Sequence, residues 1–408
     1  MGRAMTPRRL VLTLTVAAWL GLTASMATAA TGGAAPSKKP APRARAAAAN
    51  PFATRGMWIW YVSQSNGGNL SSLIATAHRY GISTLFIKSG DGSALWSQFS
   101  SSLVNTLHAH GLRVCAWQYV YGSYPLTEAQ VGATAVHRHA DCLAIDAESE
   151  YEGRYVSAQS YIRRLRQLVG SRFPIALASF PYVDYHPGFP YSVFMGPNGA
   201  QYNVPQMYWR DIGVSVDTVY AHTYAYNRIY GRAIFPLGQI YSSPPASQIK
   251  RFRQLARVYG AGGLSWWDWQ EAAPGAFSAV AAPVGVLLRN LPGPNYASIA
   301  RGAHGDLVVW AQEHLVGAGQ KVTINGTFGP ATTAAVMSFQ LAHGLPPVGV
   351  IGPQTWPALL RYRPATVTWT ASGARASAAS KAGGVTPVPA SARLPAVRDE
   401  IGRSHGRG

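Results

Sequence analysis

Eight short apolar runs recur between residues 51 and 284, and this rhythm limits the fold more than any other feature of the 408-residue chain. They lie at 57–62, 84–89, 113–121, 143–148, 175–180, 204–209, 233–240 and 263–269. Stretches of helical periodicity separate them. Leu70, Leu73, Ile74 and Ala77 follow Asn69, a good N-cap, and stop at Gly81. Ile162, Leu165, Leu168 and Val169 stop at Gly170; Ile249, Phe252, Leu255 and Ala256 stop at Gly260. Eight strands alternating with helices over about 230 residues is the rhythm of a (β/α)8 barrel. An open doubly wound sheet would use the same alternation, but no glycine-rich phosphate loop follows the first run. The expected fold class is therefore α/β, a (β/α)8 TIM barrel over 51–284.

A different pattern occupies the C-terminal part. Phe328-Gly329-Pro330-Ala331-Thr332 recurs 23 residues later as Ile351-Gly352-Pro353-Gln354-Thr355, each copy with a further glycine, Gly326 or Gly349, three residues before its Gly-Pro. Glycine permits a sharp turn and proline suits the first turn of a helix. After the first copy Ala335, Val336 and Phe339 share a helical face that stops at Gly344; upstream, Val308, Val309, Gln312 and Leu315 mark a helix starting near Asp306. Residues 299–361 are expected to form a small all-α bundle of three short helices, reached by a linker at 285–298.

These residues carry a resemblance. Gly302, Gly305-Asp306-Leu307-Val308, Gln312, Leu315, Asn325-Gly326, Phe328-Gly329, Thr332, Ala335-Val336, Phe339-Gln340, Gly344-Leu345, Gly349, Ile351-Gly352 and Thr355 resemble the peptidoglycan-binding helical domain of secreted cell-wall hydrolases. The resemblance implies a peptidoglycan ligand, with Asn325, Gly326, Phe328, Gly329 and Thr332 as the marked positions of the binding domain. Asn325 and Val348 stand where the family usually has Asp before each glycine, at positions that often shape loops beside the glycan groove. Deleting 299–408 is expected to weaken attachment to wall and to spare activity on soluble fragments.

A net charge of +19 invites a nucleic-acid reading, so its placement matters. Residues 1–50 hold seven Lys and Arg and no acids, and 366–408 hold six against Asp399 and Glu400, so the ends carry eleven of the nineteen charges. The region 51–284 has 17 basic against 12 acidic residues and no basic stripe. Nucleic acid is therefore not an expected partner. The ends, rich in Ala, Ser, Pro and Gly, are expected to be disordered: a linker at 30–50 and a basic tail at 366–408. Arg3, Arg8 and Arg9, an uncharged run from Leu10 to Leu22 and Ala27-Thr28-Ala29 read as a signal peptide over 1–29. Its run is short for a membrane span; a Sec-type signal fits better than a twin-arginine one, and an uncleaved anchor is the alternative. The expected location is outside the cell, secreted or wall-associated, with no stable membrane insertion after cleavage; oligomeric state is left open.

Cys115 and Cys142 are too few for a disulfide scaffold, but both fall near the starts of adjacent strands, and export makes one bridge plausible; two buried thiols are the alternative. His78, His108, His110, His137, His139 and His186 show no ligand spacing and read as surface, so neither a metal nor a cofactor is expected.

In a (β/α)8 barrel chemistry sits at the C-terminal strand ends. Here those ends are polar and aromatic: Lys88-Ser89-Gly90-Asp91, Gln118-Tyr119, Asp146-Ala147-Glu148, Gln206-Met207-Tyr208 and Trp266-Trp267-Asp268. Aromatic faces suit the apolar C–H faces of sugar rings, and amides and carboxylates suit their hydroxyls. Strand alternation puts Asp146 and Glu148 on one side, their α-carbons about 6.6 Å apart. Two acids at a barrel mouth repel, which holds a proton on one beside an anion, as glycosidic cleavage requires. Alternatively, one acid forms a structural ion pair with Lys88 or Arg210. One of Trp266 and Trp267 should face the mouth and the other the helices.

The fourth strand's Asp-x-Glu, with the ends of strands six and eight, resembles the glycosidase barrel superfamily, most of all the lysozyme-type muramidases and more distantly the chitinases. The resemblance implies Glu148 as general acid/base, Asp146 as its partner in stabilising an N-acetyl-assisted intermediate, and Tyr208 and Gln206 as acetamido-binding. Asp91, Gln118, Trp266 and Asp268 complete the expected substrate-binding set. The muramidase pattern usually ends its first strand in a carboxylate, whereas this chain has Trp58-Ile59-Trp60-Tyr61-Val62-Ser63; Asp91 or Asp268 could supply that charge. The expected activity is peptidoglycan glycan-strand hydrolysis, with a non-catalytic wall binder or a glycosidase for another polysaccharide as alternatives.

Overall fold

The computed structural model describes residues 50–285 and 295–377. The expected signal peptide, nearly all of the linker at 30–50, most of the linker at 285–298 and the tail beyond 377 lie outside the described residues. No helix among the described residues is long and apolar enough to cross a membrane.

Short parallel strands make one curled sheet: β1 (Arg55–Ile59), β2 (Thr84–Asp91), β3 (Arg113–Val120), β4 (Cys142–Ala147), β5 (Ile175–Ser179), β6 (Tyr202–Pro205), β7 (Ala233–Ile234), β8 (Leu237–Gln239) and β9 (Leu264–Trp267). Their order is β7-β6-β5-β4-β3-β2-β1-β9-β8. The seventh apolar run is split because Pro236 has no N–H to give to a ladder. The barrel closes across that break: Gln206 bridges Leu237, and Met207 N donates to Leu237 O at 2.8 Å. The α/β barrel expected from the eight runs is the fold found.

Helices cover the outside: α1 (Leu70–Arg79), α2 (Ser101–Ala109), α3 (Pro125–His137), α4 (Tyr155–Val169), α5 (Tyr191–Phe194), α6 (Trp209–Ile212), α7 (Val216–Asn227), α8 (Ala246–Val258) and α9 (Ala276–Ala281). The Asn69 side chain accepts from Ser72 N at 2.8 Å and starts α1; Ser100 and Ser215 do the same for α2 and α7.

Alternation decides what fills the barrel. Leu143 and Ile145 of β4 face the helices, while Cys142 and Ala144 face inward with Trp58, Phe86, Cys115, Trp117, Ala176 and Ala178. The alanines of β4 and β5 make room for the indoles of β1 and β3. Each such ring removes about 150–250 Å2 from water, worth several kcal/mol at ~25 cal/mol/Å2. Below the indoles Cys115 and Cys142 stand opposite each other in register, with Cα atoms 4.5 Å apart and a disulfide between them.

The C-terminal bundle consists of α10 (Asp306–Gly317), α11 (Pro330–Ala342) and α12 (Thr355–Leu359) around Val308, Leu315, Phe328, Val336, Phe339, Ile351 and Trp356. Its sequence repeat is a repeat of hydrogen bonds. Gln312 accepts from Gly326 N at 2.9 Å and donates to Thr327 O and Thr332 Oγ1 at 3.0 Å. Gln340 accepts from Gly349 N at 3.0 Å and donates to Val350 O at 2.8 Å and Thr355 Oγ1 at 2.9 Å. Gly326 and Gly349 hold equivalent left-handed turns, with φ of 71° and 70°.

The bundle is docked on the barrel. The Asp306 carboxylate accepts from Ser192 N at 2.9 Å, Ser192 Oγ at 2.6 Å and Tyr230 Oη at 2.8 Å; Trp310 Nε1 donates to Ile229 O at 2.8 Å. Asp306 N donates to Pro187 O at 2.7 Å. A Cβ on Gly305 would lie 2.4 Å from that same oxygen, so only glycine permits this approach.

The tail departs from expectation at its start. Residues 366–377 form a hairpin, β10 (Thr366–Thr370) and β11 (Gly373–Ser377). Gln159 of α4 donates to Val367 O at 2.8 Å and accepts from Trp369 N at 3.0 Å, and Tyr155 and Trp369 pack with ring centroids 4.2 Å apart. Thr-Val-Thr-Trp-Thr is a run of β-branched and aromatic residues, which the composition of the longer tail conceals.

Candidate active site

A cavity of about 270 Å3 opens among the C-terminal strand ends, lined by Trp58, Trp60, Lys88, Trp117, Tyr119, Asp146, Glu148, Gln206, Tyr208, Leu237 and Trp267. Asp146 is the penultimate residue of β4 and lies in register between Tyr119 of β3 and Ala178 of β5. Glu148 follows the strand. Gln206 lies just past β6, two strands along the sheet from β4. Its Nε2 donates to Asp146 Oδ1 at 2.9 Å and to Glu148 Oε1 at 3.0 Å, so one amide nitrogen holds both carboxylates.

Burial sets the electrostatics. It drives the Asp146 carboxyl well above the usual carboxylate range; the Glu148 charge adds to the rise, and Lys88 and the Gln206 hydrogen bond oppose it. Burial also raises Glu148, against the pull of Gln206 and His186 and with help from Glu150. Two raised carboxyls on one donor retain a proton where exposed acids would have lost it. Tyr119 Oη donates to Glu150 Oε2 at 2.8 Å and extends the acidic row. The Tyr208 hydroxyl, raised by burial and then by Asp146, meets no hydrogen-bonding partner among the described residues.

Of the expected site residues, Asp146, Glu148, Gln206 and Tyr208 come together at this cavity, and four do not. Gln118 points outward, fully buried, donating to Gly92 O at 2.9 Å and Glu128 O at 2.8 Å. Alternation requires this: with Cys115 turned inward, Trp117 and Tyr119 face in and Gln118 faces out. Trp266 also faces out, against Phe252 with centroids 5.2 Å apart, while Trp267 meets Trp117 at 5.2 Å and Trp58 at 5.8 Å inside. Asp91 lies outside the cavity lining, accepting from Lys88 Nζ at 2.7 Å and Tyr121 Oη at 2.7 Å. Asp268 is buried behind the wall, accepting from Glu271 N at 3.2 Å, and burial pushes its carboxyl up to about 7. The ion pair considered for Asp146 or Glu148 is absent among the described residues, since Lys88 pairs with Asp91 and Arg210 is exposed.

Sequence reasoning missed Trp58, Trp60 and Trp117 as cavity walls, and of the pair Trp266 and Trp267 it chose the one that faces the helices. The inward direction of Cys115 was signal enough for Trp117.

Three of the marked positions of the C-terminal bundle bond or pack within it. Asn325 Oδ1 accepts from Thr327 N at 2.9 Å and Gln312 Nε2 at 3.0 Å, Thr332 bonds to Gln312, and Phe328 is fully buried. Among the described residues no three His, Cys, Asp or Glu side chains gather as a metal site would require.

Comparison with known proteins gives the C-terminal module its identity. Residues 304–359 match the peptidoglycan binding domain family. The zinc D-Ala-D-Ala carboxypeptidase of Streptomyces albus G is 38% identical over 88 residues, 21% of this chain and 34% of that protein, so the chain spans about a third of that relative's length. Among solved structures, a class V chitinase from Pseudomonas fluorescens Pf-5 is 10% identical, covering 56% of this chain and 98% of its own, with a TM-score of 0.45. A fungal endo-β-N-acetylglucosaminidase of glycosyl hydrolase family 18 is 16% identical over 58% of this chain and 98% of its own, with a TM-score of 0.42. The barrel topology stands on its own strand order, and residues 304–359 are a peptidoglycan-binding domain C-terminal to it.

Proposed function

We propose that this chain hydrolyses the glycan strands of peptidoglycan at the barrel mouth, outside the cell, while its C-terminal domain holds it on the wall. The observation that carries the reading is the single Gln206 nitrogen bonded to both Asp146 and Glu148 in an aromatic cavity. Trp60, Tyr119 and Trp267 offer faces for sugar rings, and Gln206 and the Tyr208 hydroxyl reach the acetamido group.

Glu148, whose carboxyl burial raises, gives its proton to the glycosidic oxygen as the C1–O bond breaks. The acetamido oxygen of the same sugar closes on C1, and Asp146 stabilises the cation that forms. Water then adds to C1 as the bond from the acetamido oxygen breaks, losing its proton to the Glu148 carboxylate, which restores both the acetamido group and the acid. This substrate-assisted course is muramidase-like in its two acids.

Release of reducing ends from purified wall tests the reading. Glu148→Gln should lower it by ~10²–10⁴-fold, the usual contribution of general acid catalysis. Full activity in that variant would exclude Glu148 as the acid. One observation favours a barrel that binds glycan without cutting it: β1 brings Trp58 and Trp60 to the mouth and no carboxylate. Wall binding with no reducing ends released at any pH would establish that alternative.

A further inference from the structure

Lys88 touches no reacting atom in this course; its charge there only favours the ionised form of Asp146. It is the cation among the lining side chains and is only 2% exposed. An ammonium group carries three N–H donors. One reaches Asp91 Oδ2 at 2.7 Å, and among the described residues no second oxygen accepts from it. Aromatic faces make up much of its remaining surroundings: Trp60, Trp96 and Trp117 have ring centroids 4.5, 4.7 and 4.7 Å from Nζ. Trp60 also keeps its own Nε1–H buried with no acceptor among the described residues. Asp91 is 30% exposed and shares its charge with the Tyr121 hydroxyl at 2.7 Å. A buried ammonium so short of acceptors gains from an incoming oxygen anion.

We propose that Lys88 receives a carboxylate carried by the sugar, and that the barrel acts on glycan whose muramic acid bears a free lactyl carboxylate. The proposal rests on the reading of the cavity as a glycan site. In intact peptidoglycan that lactyl group is the attachment point of the peptide stem and is a neutral amide. At the cavity wall a free lactyl carboxylate meets the Lys88 ammonium as an anion, whereas the neutral amide of a peptide stem brings no charge to it. The reaction that supplies this substrate is therefore hydrolysis of the lactyl–peptide amide: water adds across the bond, leaving a carboxylate on the sugar and a free amine on the stem. The barrel then cuts strands already stripped of stems.

The test uses the full chain and two soluble tetrasaccharides of alternating N-acetylglucosamine and N-acetylmuramic acid, one with free lactyl carboxylates and one with lactyl methylamides. Calorimetry with the Glu148→Gln chain should show the acid bound roughly 10–100-fold tighter, the yield of one charge-assisted hydrogen bond. Adding Lys88→Gln should bring the ratio close to one, and Lys88→Arg should keep most of it. The C-terminal domain is identical in every variant, so a change in the ratio belongs to the barrel. Should Lys88→Gln melt early, Lys88→Met with Asp91→Asn removes both charges together and makes the same measurement. A ratio near one in the starting chain, or a ratio that survives loss of Lys88, overturns the proposal. A preference for the acid with no cleavage by the unaltered chain removes the hydrolase reading, and the cutting of stripped strands with it, while upholding Lys88 as the carboxylate site; cleavage and binding of both probes alike upholds the hydrolase and overturns the Lys88 site.

Discussion

Replacing Gln206 with leucine keeps the volume beside the acids and removes the one nitrogen they share. Gln206 opposes the burial that raises both carboxyls, so without it both should titrate higher. A hydrogen bond to a charged group contributes roughly 1.5–3 kcal/mol, and about 1.36 kcal/mol corresponds to one pKa unit, so the rise should be roughly one to two units. Activity needs Glu148 protonated and is lost as pH rises through its pKa; the alkaline limb of kcat/KM should therefore move up by that amount. The maximal rate should fall at the same time. Asp146 would stay neutral where the cationic intermediate needs an anion, and losing one preorganised electrostatic contact costs roughly 10²-fold or more. The assay is kcat/KM against pH on soluble glycan fragments, with a thermal melt to show that the variant folds. An alkaline limb that stays in place, or moves down, in a folded Gln206→Leu protein refutes the claim that the shared amide governs the acid.

Three other outcomes are expected. Exchanging Cys115 and Cys142 for alanine opens a loop closed over 27 residues and should lower the unfolding free energy by about 3.5 kcal/mol on the chain-entropy account; denaturation curves unmoved by reductant would contradict it. Asp306→Ala strips the acceptor from Ser192 and Tyr230, at roughly 1–3 kcal/mol for each buried group left unsatisfied, and should split one calorimetric transition into two. Burial raises the Asp268 carboxyl to about 7 and the Asp306 carboxyl to about 6, above their ordinary 3.8, so their stabilisation is full below that ordinary value and lost as pH rises through 6 and then 7. His314, pushed down to about 4 by burial, acts oppositely, losing its contribution as pH falls through 4. With Asp146 and Glu313 also raised, unfolding free energy should decline from mildly acidic to neutral pH; an increase measured by urea titration would refute this.

The barrel was legible because its strands are short apolar runs at regular spacing, and the acid pair because Asp146 and Glu148 sit two residues apart at a strand end. Their shared amide was legible only as a polar strand end, since Gln206 lies some sixty residues away in sequence. The wrong choices, Gln118 and Trp266, came from reading strand ends as composition. Phase was needed, and a one-residue error in a strand sends a side chain to the opposite face. Phase was available at β3, where an inward Cys115 fixes Trp117, but not at β9, where two tryptophans adjoin. The docking of the C-terminal bundle was invisible: Asp306 reads as the first residue of a helix, and nothing local says that Ser192 and Tyr230 are its partners.

That docking changes what truncation should do. Read from the sequence, loss of residues 299–408 weakens wall attachment and leaves the barrel unharmed. In the structure the loop after β5 is held from two sides. Pro187 O accepts from Asp306 N at 2.7 Å and lies against Gly305, so the bundle holds one side. On the other, Gly188 O accepts from Gly153 N at 2.8 Å, and His186 Nδ1 meets Glu152 Oε1 at 2.7 Å while its ring stacks on Phe180. His186 is also the group whose charge restrains the rise of Glu148. Cutting the chain at 299 takes away Asp306 and Trp310, uncovers Ser192, Tyr230 and the Ile229 carbonyl, and frees Pro187. The truncated barrel should therefore melt earlier, and its activity on soluble fragments should fall. If His186 drifts from the acids, the alkaline limb should also move up, because a positive neighbour that lowers the Glu148 pKa has been lost. A tether that only concentrates enzyme on its substrate would leave kcat/KM and its pH dependence on soluble fragments untouched. An unchanged pH profile in the truncated protein would therefore show that the bundle serves attachment alone.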